Sequence, residues 1–199
     1  MKLLSPLFLT LAFALPTLQA QHTIADLVVM ASGGATAGQF DADDADFDML
    51  LTALQTANLV GAVSDPTADL TVFAPNDRAF IRLANDLGYV GTDEAAAWTF
   101  LVGALTTLGN GDPVPVLTNV LLYHVAGERI GLFSYVIRSF FRINIDTLLA
   151  GETIKPRFLR LKDNDPDLTD PRLMLPVNVQ ASNGIIHSID RVLIPIDLP

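Results

Sequence analysis

Apolar residues recur at helical spacing through the first part of the chain and at strand spacing in the last part. After an almost wholly apolar stretch from Leu3 to Leu15, Ile24, Leu27, Val28 and Ala31 fall at i, i+3, i+4 and i+7, with Thr23 and Asp26 placed as a capping box. Gly33-Gly34 ends that helix. Phe47, Leu50, Leu51 and Leu54 predict a second helix running to about Gly61, introduced by the acidic stretch Asp41 to Asp48. Leu70 to Ala74 reads as a short strand closed by Pro75. Asn76 then caps a helix carrying Phe80, Leu83, Ala84 and Leu87, stopped by Gly88. Trp98, Leu101, Val102 and Leu105 mark a helix after Thr92, and Leu117, Val120, Leu121 and His124 mark another after the turn at 110–113. Beyond these, Arg142 to Ile145, Thr153 to Lys162, Val177 to Ala181 and Ile185 to Leu193 read as strands, the last two joined at Asn183-Gly184. Helices first and strands later predict an α+β domain without regular βαβ alternation.

Composition sharpens this picture. The 199 residues hold no cysteine, which excludes disulfides, a thiol nucleophile and cysteine-ligated metals. The net charge of -10 argues against nucleic acid as a partner. That charge is unevenly spread: residues 21–122 carry 13 acids against Arg78 and Arg82, while residues 123–199 carry 9 acids and 9 bases. Lys2, the apolar run, Pro16 and Ala20 have the layout of a secretory signal peptide, so residues 1–20 are expected to be removed and 21–199 to form a single domain. No later stretch is long and apolar enough to span a membrane. The expectation is a secreted, extracellular or periplasmic protein.

Three segments then carry a family resemblance. Thr71-Val72-Phe73-Ala74-Pro75-Asn76-Asp77-Arg78-Ala79-Phe80 resembles the first signature of the fasciclin (FAS1) domain. Tyr123-His124 resembles its tyrosine–histidine motif, and Ala181 to Pro195, containing Asn183, Gly184, His187 and Asp190, resembles its second signature. The resemblance implies a wedge or sandwich of about seven strands flanked by several helices. It also implies adhesion or extracellular matrix binding, without catalysis, through protein or glycan contacts. The alternative is an extracytoplasmic carbohydrate or small-ligand module without an adhesive role. Thr71, Phe73, Pro75, Asn76, Asn183, Gly184, His187 and Asp190 are expected to build the fold. In animal members of the family, integrin binding involves the tyrosine–histidine region and an acidic element before the second signature. Tyr123, His124 and Asn178 occupy those places here. Asn178 has no carboxylate for an integrin's metal, so integrin is not expected as the partner.

The remaining chemistry is sparse. Asp163, Asp165 and Asp167 have calcium-loop spacing, but Leu168 and Met174 stand where that loop needs glycine and glutamate. They and Asp41, Asp43, Asp44, Asp46 and Asp48 are expected as solvated acidic loops. His187, Ser188 and Asp190 do not converge on a strand, and no nucleophile elbow or phosphate loop occurs. No catalytic residue, metal or cofactor is therefore assigned. Lys155, Arg157, Arg160 and Lys162 fall in pairs two apart, each pair on one strand face. They read either as charges protecting an edge strand or as the candidates for holding an acidic polysaccharide, an extracellular protein, or the acidic half of a second copy in self-association.

Overall fold

A computed structural model describes residues 22–196; the expected signal peptide lies outside them. Among the described residues are seven helices: α1 (Ile24–Ala31), α2 (Asp48–Thr56), α3 (Val60–Ser64), α4 (Asp77–Asp86), α5 (Glu94–Leu108), α6 (Val114–Tyr123) and α7 (Leu132–Phe141). The seven strands are β1 (Leu70–Pro75), β2 (Val125–Ala126), β3 (Ile145–Asp146), β4 (Thr153–Arg157), β5 (Arg160–Lys162), β6 (Val179–Ala181) and β7 (Gly184–Ile189). The architecture is α+β.

The first helices begin where their caps dictate. Thr23 and Asp26 form the capping box of α1, and Asn76 Oδ1 accepts the Ala79 N–H at the start of α4. Two expected elements are divided. The helix from Phe47 ends at Thr56 because Asn58 takes a left-handed φ of 56°, and Gly61 belongs to the separate α3. The expected strand over 153–162 is a hairpin, β4 and β5, turned at Phe158 and Leu159 with Phe158 at φ 58°. The expected strand from Arg142 starts only at Ile145, since Arg142 is the left-handed cap that ends α7.

One sheet has the order β2-β1-β7-β6, and a second has the order β3-β4-β5. Strands β1 and β7 run parallel in register from Leu70↔Gly184 to Pro75↔Ile189, so the two signature segments are neighbouring strands. Side chains alternate across β1. Val72 and Ala74 face a core built mainly on α1 to α6, and Phe73 faces a second core. That second core joins Phe73 and Ile189 to Tyr123, Tyr135, Ile145, Ile154 and Leu161, filling the space between the two sheets. Phe73 is fully buried, and its removal from water contributes about 2–3 kcal/mol. The hairpin into β7 is displaced by one residue from its sequence signal. Ala181 pairs with Gly184, leaving Ser182 and Asn183 as the loop. Gly184 is glycine for want of space: a Cβ there would stand 2.3 Å from the Leu70 carbonyl oxygen.

Candidate binding surface and buried polar groups

The signature side chains are occupied inside the fold. Thr71 Oγ1 donates to the Glu128 carbonyl at 2.6 Å and accepts the Ile130 N–H at 2.7 Å. Asn183 accepts the Ile24 N–H and donates to the Val63 and Asp65 carbonyls, tying α1 and the end of α3 to the sheet. Asp190 accepts the Arg172 N–H at 2.8 Å and faces Arg82, while Arg191 pairs with Asp86. Each motif histidine is buried and uses both ring nitrogens on backbone. His124 Nδ1–H donates to the Val120 carbonyl at 2.7 Å, and Nε2 accepts the Leu193 N–H at 2.9 Å. His187 Nε2–H donates to the Ile130 carbonyl at 2.8 Å, Nδ1 accepts the Asn178 N–H at 3.3 Å, and the ring stacks on Phe73. Burial holds both imidazoles below the usual histidine range, His124 at about 4. Tyr123 donates its hydroxyl to the Thr153 carbonyl, and burial raises its pKa. Tyr123 and His124 thus have their side chains inside. Asn178 is exposed, adopts φ 59° and accepts the Leu132 N–H at the start of α7.

The basic residues form a different arrangement. In the β4–β5 hairpin Lys155 lies opposite Lys162 and Arg157 opposite Arg160. Their inward neighbours Ile154, Pro156 and Leu161 are buried, so all four cations share the outward face. Arg172, which sequence spacing did not bring into the group, bridges to Arg160 and adds a fifth cation. None of the five is in an ion pair among the described residues; Arg157 donates to the Pro156 carbonyl. Directly opposed like charges destabilise a hairpin by roughly 0.2–1 kcal/mol per pair, so this ladder is held against its own repulsion.

Helix α7 lies against the hairpin: Ser139 Oγ accepts the Phe158 N–H, and the Tyr135 hydroxyl donates to the Arg160 carbonyl at 2.8 Å. Tyr135 and Ser139 are its buried side. Phe133, Val136, Ile137, Phe140 and Phe141 are exposed, Phe133 and Phe140 by 80% and 78%. Phe158 at the hairpin turn is also 80% exposed. An exposed apolar patch beside a cationic face is the usual composition of a contact surface.

The acidic segments are less solvated than their sequence suggested. Asp163 and Asp165 are buried: Asp163 accepts the Ile194 N–H and Asp165 those of Asp167 and Leu168. Burial pushes Asp163 up to about 6. Asp48 is only 2% exposed and lies among other carboxylates.

Residues 45–195 match the model of the fasciclin domain. This chain belongs to the fasciclin-domain family. It is similar to two proteins of Synechocystis sp., "Uncharacterized protein sll1735" and "Protein sll1483". It is 28% identical to the first over 76% of this chain and 91% of that one, and 30% identical to the second over 75% and 67%. Among solved structures it resembles a FAS1 domain pair from the insect cell adhesion molecule Fasciclin I, with a TM-score of 0.58 and 14% identity. It covers 51% of that pair with 88% of its own length, and at that identity the likeness establishes the fold. Fasciclin domains are in general adhesion-type modules of extracellular or surface proteins that act through protein contacts.

Within this fasciclin domain an open apolar groove of about 310 Å³ runs between α1 and the sheet, lined by Leu27, Met30, Phe47, Val179, Ile186 and Ser188 among others. Ser188 Oγ is buried there without a hydrogen-bond partner among the described residues. Among the described residues no helix is long and apolar enough to cross a membrane.

Proposed function

We propose that this fasciclin domain is an exported binding protein, freed of residues 1–20, that works in adhesion without catalysis and takes an acidic polysaccharide on the β4–β5 ladder. One observation carries the reading: four cations on one hairpin and a fifth bridged to it, in an acidic chain, none of them neutralised by an ion pair among the described residues. Arginine and lysine two residues apart and directly opposed offer charge-assisted hydrogen bonds to carboxylate or sulfate groups spaced by a few ångströms. Phe158 at the hairpin turn, with Phe140 and Phe141 exposed on α7, offers flat apolar faces for sugar rings. Retention on immobilised polyuronate or sulfated polysaccharide should fall as salt rises and be lost when Lys155, Arg157, Arg160 and Lys162 are all replaced by Glu. Equal retention of wild type and variant would overturn the assignment, and loss of wild-type self-association instead would identify a second copy as the occupant.

A second reading rests on the groove. Its apolar lining with a single unpartnered hydroxyl, Ser188 Oγ, suits a small, largely apolar ligand carrying one polar group. In that case the domain is a ligand carrier, and binding of such a ligand is blocked by Ser188→Leu.

A further inference from the structure

Three helices begin at one place. Asp48, Asp77 and Glu94 are the first residues of α2, α4 and α5, and they are 2%, 0% and 4% exposed. Oxygens of the three carboxylates lie within 4.8 Å of one another. A carboxylate in the first turn of a helix ordinarily serves the free N–H groups there. At this junction other groups do most of that work. Asn76 accepts the Ala79 N–H at 3.1 Å, and Asp93 accepts the Ala96 N–H at 2.8 Å. Asp77 reaches across to accept the Asp48 and Met49 N–H groups at 3.0 and 2.9 Å, capping α2, whose own Phe47 has no capping atom. Among the described residues Asp48 Oδ1 and Glu94 Oε2 are left without a hydrogen-bond partner, each on a side chain more than nine-tenths buried. A buried carboxylate oxygen without a donor is costly, and burial with neighbouring acids pushes Glu94 up to about 7 and raises Asp48 and Asp77 as well.

The cluster continues to the surface. Asp41, Asp46 and Asp48 form a second triplet with the same spacing, running from exposed through intermediate to buried and sharing Asp48 with the first. Backbone bonds clamp this loop onto α4: the Asp77 N–H donates to the Asp46 carbonyl and the Arg78 N–H to the Asp44 carbonyl. An open pocket of about 340 Å³, lined by Asp41, Asp44, Asp93 and Glu94 with Ala42 and Thr92, gives access from solvent. The Arg78 guanidinium is committed to Asp44, with Nε 2.8 Å from Oδ2.

We propose that Asp48, Asp77 and Glu94, with Asp46 and Asp41 toward solvent, bind one hard divalent cation of the calcium class. The donors are all carboxylate oxygens with no nitrogen or sulfur among them, which selects a hard cation over zinc or copper. Carboxylates arriving from a loop and three separate helices suit the irregular coordination of Ca²⁺ better than the strict octahedron of Mg²⁺. The cation takes the two free oxygens as ligands, displaces the protons held in the cluster, and ties the starts of α2, α4 and α5 together. This site is independent of the cationic ladder and of the polysaccharide reading.

The test uses the full chain, stripped with a chelator and titrated with CaCl₂ or MgCl₂ at about 150 mM NaCl, followed by calorimetry and thermal unfolding. Saturating Ca²⁺ should bind at one per chain and raise Tm by about 5 °C or more. Trp98, the single tryptophan, stands one helical turn beyond Glu94, so it should sensitise bound Tb³⁺. The pair Asp48→Asn and Glu94→Gln keeps side-chain volume. It should raise the Tm of the metal-free protein, abolish the Ca²⁺ shift and quench the Tb³⁺ signal. No heat and no Tm change in the wild type up to about 10 mM of either ion would overturn the site. So would undiminished binding by the double variant. A Mg²⁺ response equal to that of Ca²⁺ would overturn the calcium class.

Discussion

The carboxylates at the starts of α2, α4 and α5 and the cations of the β4–β5 hairpin are both groups of like charge, the acids with oxygens within 4.8 Å of one another and the bases paired across strands. The acids are buried, whereas the bases are partly or fully exposed. Two unit charges at about 4 Å repel by roughly 1 kcal/mol in water and by roughly 4 kcal/mol at the effective dielectric of a protein surface region. The ladder therefore persists with ordinary counter-ions, while the acidic junction requires a proton or a cation. Like charge alone does not distinguish the two groups; burial does.

Both clusters hang on the frame made by the two signature strands, and the largest effect should come from breaking that frame. His124→Ala leaves the Val120 carbonyl and the Leu193 N–H unpaired and opens a cavity beside them, at a cost of about 3 kcal/mol. A fall in Tm of roughly 10 °C should follow. The same residue sets an acid limit. Its folded pKa of about 4 lies below the ordinary 6.5, so between these values the unfolded chain binds the extra proton and the native state loses stability as pH falls. The loss reaches about 3 kcal/mol near pH 4 and levels off below it. Urea unfolding at pH 7 and 4.5 should show less acid loss in His124→Gln than in the wild type.

The comparison itself is tested by neutralising one charge in each cluster. Asp48→Asn should stabilise the metal-free protein by about 1 kcal/mol, while Arg157→Gln should change stability by less than about 0.5 kcal/mol. Equal effects would mean that the acidic junction is as well solvated as the ladder. The smallest effect concerns salt. Raising NaCl to about 0.5 M should erase the difference between Arg157→Gln and wild type and leave the gain in Asp48→Asn intact, because only the exposed charges are screened.

The fold was legible where local chemistry and global pairing agree. The caps at Thr23 and Asn76 lie within three residues of the groups they serve, and the two signatures announce their strands by β-branched runs. Helix α7 was invisible because its buried side is Tyr135 and Ser139 while phenylalanines face outward, so the usual apolar stripe is inverted. The hairpin after Arg157 turns on Phe158 and Leu159, without glycine, asparagine or proline to signal it. Of the candidate surface, the four cations were legible, but their cross-strand opposition and Arg172 depend on that unsignalled turn. The acidic junction was not legible at all, because Asp48, Asp77 and Glu94 are 29 and 17 residues apart and meet only once α4 packs on α2 and α5.

The parallel pairing of β1 with β7 also governs timing. Thr71 meets Ile185, 114 residues later, and Gly184 must slide against the Leu70 carbonyl at a distance only glycine permits. Closing so long a loop is entropically slow, and contacts of this range lower folding rates. Until Gly184 to Ile189 is available, β1 lacks its parallel neighbour and Phe73 the imidazole stacked on it. A chain emerging from its N-terminus can gather its early helices at once, but the sheet between the two cores closes last.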